Sequence, residues 1–136
     1  MTAEQQAPIG SGFGMRTTAA DILNGVSLQG CNVVFTGGYS GIGIEGVKAL
    51  AKAGAAIVVP ARRPDAARAE LAGVPNVEVA ELDLADLRSV ANFAEGYLAT
   101  GKPLHVLINN AAIMASPEMR VGPAFHLGEK NAHDFL

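Results

Sequence analysis

The sequence predicts an α/β fold, a doubly wound parallel sheet of about four strands in the order β-α-β-α-β-α-β. Three observations lead there. Short apolar runs rich in β-branched residues alternate with stretches whose apolar residues recur at helical spacing. Glycine or proline marks nearly every boundary, so the connections are short. Two of the strand runs are almost continuously apolar, as expected where helices cover both faces of a sheet.

The elements follow in order. Residues 1–16 are polar and glycine-rich, with Pro8, Gly10, Gly12 and Gly14, and read as an extended or mobile arm. Thr17 or Thr18 is placed to cap a short helix that ends near Asn24-Gly25. Ser27-Leu28-Gln29-Gly30 then turns the chain into a first strand over about 32–36. That strand stops at Gly37-Gly38, and from Ile44 the residues Ile44, Val47, Leu50 and Ala51 are spaced for one buried helical face. Gly54 should end this helix, with Lys52 near the C-terminus where the dipole favours a cation. Ala56-Ile57-Val58-Val59 reads as a second strand closed by Pro60 to Pro64, and 65–72 as a short helix ended by Gly73. Val77 to Leu82 alternates, which places this third strand nearer a sheet edge. Leu87, Val90, Ala91, Ala94 and Leu98 predict an amphipathic helix, terminated by Gly101 and Pro103. Residues 104–108 form a fourth strand running into Asn109-Asn110-Ala111-Ala112, beyond which no convincing strand or long helix is legible. The chain divides into an arm with a short helix (1–27), a folded domain (28–117) and an irregular tail (118–136).

Composition narrows the function. A chain of 136 residues, 49% hydrophobic and 17% charged, suits one folded domain and not a disordered segment. The net charge is −3 and Arg62-Arg63 is the one basic cluster, which argues against a nucleic-acid partner. The single cysteine, Cys31, rules out an internal disulfide and suits a reducing compartment. No basic segment followed by an apolar run opens the chain, and no apolar run nears the ~20 residues that span a bilayer. A cytoplasmic domain with no membrane contact is expected. His105, His126 and His133 lack metal-ligand spacing, so no metal site is expected.

In a parallel sheet, ligands collect at the carboxyl ends of the strands, where the strand order reverses. Four segments fall there: 37–43, 61–63, 83–84 and 109–112. The first joins a strand to a helix through Gly37-x3-Gly41-x-Gly43, an arrangement that presents backbone N–H groups and a positive helix end to a phosphate. Thr36-Gly37-Gly38-Tyr39-Ser40-Gly41-Ile42-Gly43 resembles the T-G-x3-G-I-G fingerprint of the short-chain dehydrogenase/reductase family. Asp83-Leu84 and Asn109-Asn110-Ala111-Ala112 resemble its acidic adenine contact and its N-N-A-G motif, in the right order. Leu107 to Pro117 is similar to members like the retinol and protochlorophyllide reductases, and the whole match runs from about Leu28 to Pro117.

The resemblance implies a Rossmann-type NAD(P)-binding domain over 28–117 and an oxidoreductase. Such an enzyme transfers hydride between NADP(H) and a small-molecule carbonyl, alcohol or alkene. The cofactor-binding residues it implies are Thr36, Gly37, Tyr39, Ser40, Gly41, Ile42, Gly43, Arg62, Arg63, Asp83, Leu84, Asn109, Asn110 and Ala111. The N–H groups near Ser40 to Ile42 would hold the pyrophosphate. Asp83 would accept from the adenine amino group beside the Leu84 N–H, and it is also a candidate N-cap for the following helix. The turn at 109–112 would line the adenosine ribose, with at least one of its two amides bonded within the protein. No Asp or Glu lies between Gly46 and Pro64, while Arg62 and Arg63 stand just past the second strand. Guanidinium suits the 2′-phosphate of NADP, so NADP is favoured over NAD. Ser40 departs from this, since NADP users often carry a basic residue there, and Ala112 replaces the usual glycine.

The family's catalytic serine and Tyr-x3-Lys are absent: Tyr39 is followed four residues on by Gly43, and Tyr97 by Gly101. No catalytic residue is assigned, Asn131 within Asn131-Ala132-His133-Asp134-Phe135 being only an echo of a catalytic asparagine in relatives. The chain therefore reads as a fragment, the cofactor-binding half of a longer enzyme, inactive alone. A non-catalytic dinucleotide-binding module and a degraded gene product stand as alternatives. The fourth strand is expected at an exposed sheet edge, where an uncovered apolar run invites self-association or aggregation.

Overall fold

The computed structural model describes residues 10–112. The chain before residue 10 and after Ala112, with the expectations for Asn131, His126, His133 and the 118–136 tail, lies outside the described residues. The elements are α1 (Ala19–Ile22), β1 (Asn32–Thr36), α2 (Gly41–Lys52), β2 (Ala56–Ala61), α3 (Pro64–Glu70), β3 (Val77–Glu81), α4 (Leu87–Ala99) and β4 (Val106–Asn109). All strand pairs are parallel and the sheet order is β3-β2-β1-β4. The chain steps outward from β1 to β3, then crosses back to the far side of β1. The strand order therefore reverses between β1 and β4, and the cleft expected of such a sheet lies over their carboxyl ends.

Local chemistry explains the boundaries. Thr18 caps α1 in a reciprocal box: its hydroxyl accepts from the Asp21 N–H at 3.2 Å, and the Asp21 carboxylate accepts from the Thr18 N–H at 2.9 Å. One sheet face carries the core: Val33 and Phe35 of β1 and Ile57 and Val59 of β2 pack with Val47 and Ala51 of α2 and with Leu71. β3 is an edge strand, as its alternation predicts.

Two expectations are corrected here. β2 does not close at Pro60 but continues through Ala61. Ala56 donates its N–H toward β1, to the Cys31 carbonyl, and Ile57 donates toward β3, to Asn76. Alternation therefore aims the Pro60 nitrogen at β1, beyond Val34–Val58, the last β1–β2 pair in register. No ladder bond is lost there, so proline is tolerated.

The second correction concerns α4. Its sheet-facing residues are the half-buried Ser89, Val90, Phe93 and Tyr97, and it buries none completely. Of the predicted apolar stripe only Val90 is on that face; Leu87 and Leu98 are exposed, Leu98 by 75%. Helical spacing identified an apolar stripe but not which stripe meets the sheet. A cleft of about 640 Å³ separates α4 from Val58, Glu78 and Ala80. β4 is the other edge, with Leu107 53% exposed.

The two faces should respond differently to substitution. Ile57→Ala, at 1% exposure, is expected to cost ~3 kcal/mol in urea unfolding. Leu98→Lys should cost less than ~0.5 kcal/mol and raise the concentration at which the chain stays monomeric in sedimentation. Equal losses at the two sites would contradict this division.

Candidate functional site

At the reversal point, the turns after β1 and β4 are laced together. Thr36, 7% exposed, places its hydroxyl where the Asn110 and Ala111 N–H groups both donate to it at 3.1 Å. The same hydroxyl donates to the Ile108 carbonyl at 3.3 Å. In return the Asn110 side-chain amide donates to the carbonyls of Thr36 at 3.2 Å and Gly37 at 3.1 Å. Asn110 is thus the amide bonded within the protein, while the Asn109 residue stays exposed.

Close approach explains the glycines. A Cβ on Gly43 would sit 2.2 Å from the Gly37 carbonyl oxygen and 2.7 Å from the Asn110 amide nitrogen. Gly37 has φ +66°, and its Cβ would lie 3.0 Å from Ala111 Cα. A side chain at Gly43 would force β1's turn away from β4's, and one at Gly37 would be strained by the positive φ. Gly41 differs: nothing lies within 4 Å of the Cβ position, so that side of the turn is open.

The open side is where a ligand would approach. Ser40 precedes α2 without a side-chain capping bond, and Ile42 is 90% exposed. Among the described residues no carbonyl or side chain accepts from the Gly41 or Ile42 N–H. A 12-residue helix therefore offers orphan donors and its positive end to solvent at this point. Tyr39 turns the other way and packs against the core cluster.

The remaining segments surround this end. Arg62 and Arg63 are exposed just past β2, and among the described residues neither takes part in an ion pair. Arg62 directly follows the end of β2, the strand next to β1 in the sheet. Asp83 follows β3 and is half-buried, with Leu84 exposed beside it. Asp83 does not cap α4; Asp86 does, accepting from the Arg88 N–H at 2.9 Å. One Asp83 carboxylate oxygen accepts from the Ala85 N–H at 2.9 Å, which fixes the direction of the group. The structure so brings together the glycine turn, Arg62-Arg63, Asp83-Leu84 and 109–111 at one end of the sheet.

One participant was missed in the sequence. The Ser89 hydroxyl accepts from the Asp83 N–H at 2.9 Å. The available signal was its place at the third residue of α4, where a side chain can reach back past the helix start.

Comparison with known proteins agrees with this geometry. The family model described as short chain dehydrogenase matches residues 31–133. Short-chain dehydrogenase TIC 32 B, chloroplastic, of Brassica napus is 36% identical over 113 residues, covering 79% of this chain and 35% of that protein. Retinol dehydrogenase 11 of Homo sapiens is 40% identical over 121 residues, covering 82% of this chain and 37% of the relative. Among solved structures, a metagenomic short-chain oxidoreductase in complex with NADP aligns with a TM-score of 0.56 at 34% identity, over 62% of this chain and 40% of that one. The chain spans about a third of the length of these curated relatives.

Asn110→Ala removes both amide bonds from the glycine turn and should lower unfolding free energy by ~2 kcal/mol. Asn109→Ala, on the exposed neighbour, should leave it within ~0.5 kcal/mol. Chemical denaturation of the two variants checks this, and a similar loss in both would contradict the lacing.

Proposed function

The chain belongs to the short chain dehydrogenase family, and from that premise we propose that it forms the NADP-binding part of an oxidoreductase. That enzyme would move a hydride between NADP(H) and a carbonyl, alcohol or alkene. The observation that carries this reading is the uncapped N-terminus of α2 beside the open side of Gly41 at the strand-order reversal. The residues present fit the cofactor. The Gly41 and Ile42 N–H groups have no acceptor among the described residues and are free to hold a pyrophosphate, and the Cβ position of Gly41 is open. Thr36, Gly37, Gly43 and Asn110 hold that turn in shape. Asn109 and Ala111 line the ribose side, and Tyr39 backs the turn from the core.

Cofactor choice rests on charge. The end of β2 carries no carboxylate to bond a ribose 2′-hydroxyl, and it carries two exposed guanidiniums with no ion-pair partner among the described residues. Phosphate pairs with guanidinium through charge-assisted, often bidentate hydrogen bonds. NADP is therefore favoured over NAD, and the solved relative in complex with NADP supports the same choice. When bound, NADPH supplies the hydride. This chain's own residues bind and orient it; they include no serine with a Tyr-x3-Lys to deliver the proton.

A second reading, a dinucleotide-binding module without catalysis, is favoured by that missing Tyr-x3-Lys. Both need the cofactor. A reducing compartment, the cytoplasm in our reading, suits the free Cys31. Among the described residues no helix is long and apolar enough to cross a membrane.

Isothermal titration of the 136-residue chain should give one NADPH site and weaker NAD binding. Arg62→Asp should reverse that preference, lowering NADPH affinity about tenfold or more by replacing attraction with repulsion. An unchanged ratio would overturn the choice of NADP. Absence of NADPH binding would remove both readings.

A further inference from the structure

We infer that Ser89 is the positioning residue that lets Asp83 and Leu84 discriminate adenine from other purines, an inference that rests on the NADP reading above. The argument starts from an arrangement of two aspartates. Asp83 and Asp86 lie three residues apart before the same helix, and either could cap it. Asp86 takes the cap, through the Arg88 N–H at 2.9 Å. Asp83 is thereby released from the helix and held elsewhere. Its backbone N–H donates to the Ser89 hydroxyl at 2.9 Å, and one carboxylate oxygen accepts from the Ala85 N–H at 2.9 Å.

These two bonds define the turn from opposite ends. The Ser89 bond ties its entry to the first turn of α4, across six residues of sequence. The Ala85 bond sets the carboxylate's direction. What remains without a partner among the described residues is the second carboxylate oxygen of Asp83 and, one residue on, the N–H of the exposed Leu84. An acceptor and a donor side by side form the complement of adenine, whose amino group donates and whose ring N1 accepts. Hypoxanthine presents the reverse pattern, a carbonyl oxygen and an N1–H, and would face repulsion from both groups. Ser89 touches neither base nor phosphate in this scheme. It acts by fixing the Asp83 backbone, and it is half-buried beside the cleft under α4, where no other hydroxyl on the helix reaches that N–H.

The test compares NADPH with its hypoxanthine analogue, in which the adenine amino group is replaced by a carbonyl oxygen, by fluorescence titration of the full 136-residue chain. The unsubstituted chain should prefer NADPH about tenfold or more. Ser89→Ala should bring the two affinities within about threefold of each other, and Ser89→Thr, which keeps the hydroxyl, should restore the preference. A general loss of stability would weaken both ligands alike and leave the ratio unmoved, so the ratio separates positioning from folding. A preference retained in Ser89→Ala overturns the inference, as does NADPH binding without any preference in the unsubstituted chain. No NADPH binding at all would instead overturn the cofactor reading, and this inference with it.

Discussion

The exchange of hydrogen bonds between Thr36 and Asn110 is the constraint on which the rest depends. These residues are 74 positions apart, and each satisfies backbone groups of the other's turn. Thr36 is the one buried polar or charged residue among the described residues, and its hydroxyl is fully engaged. A buried hydroxyl left unpaired would cost ~1–3 kcal/mol, so the network holds both turns to one arrangement. Gly43 is the steric counterpart, since a Cβ there would meet the Gly37 carbonyl oxygen at 2.2 Å, and Gly37 holds a φ of +66° that side chains rarely adopt. The glycine turn is therefore shaped from below by β4, and it is open on the side of Gly41.

The sheet supplies rigidity unevenly. On one face α2 and α3 bury Val33, Phe35, Ile57 and Val59, and this is the side from which α2's N-terminus is aimed. On the other face α4 stands off, burying no residue completely, with Leu98 and Leu107 exposed. The site draws on both. The glycine turn rests on the packed side. The β3–α4 turn is held by single bonds, which is why one hydroxyl can matter there.

Much of this was legible in the sequence, for physical reasons. The strand Ala56-Ile57-Val58-Val59 was legible from its apolar run, of which Ile57 and Val59 are buried, and glycines at Gly54, Gly73 and Gly101 mark ends because each has positive φ. The segments that gather at the carboxyl end of the sheet were legible because their residues directly follow apolar strands. What was not legible depended on direction. Pro60 looked like a terminator because the side of the strand its nitrogen faces is a property of the sheet. Asp83 and Asp86 are equally good caps in sequence, and the path of the turn decides between them. The stripe that α4 presents is set by its approach to the sheet: Val90 meets it beside Phe93 and Tyr97, while Leu87 and Leu98 do not. The one signal for Ser89 is its place at the third residue of α4, and the path of the β3–α4 turn decides which N–H it meets.

The central claim is that this chain receives a dinucleotide at the open N-terminus of α2. Amide NMR of the labelled chain titrated with NADPH tests it directly, since each orphan N–H reports separately. The account predicts that the Gly41 and Ile42 amides shift most, with Arg62 and Leu84 following and the interior of α2 little changed. Saturable shifts confined to other surfaces, with Gly41 and Ile42 unmoved, would contradict it.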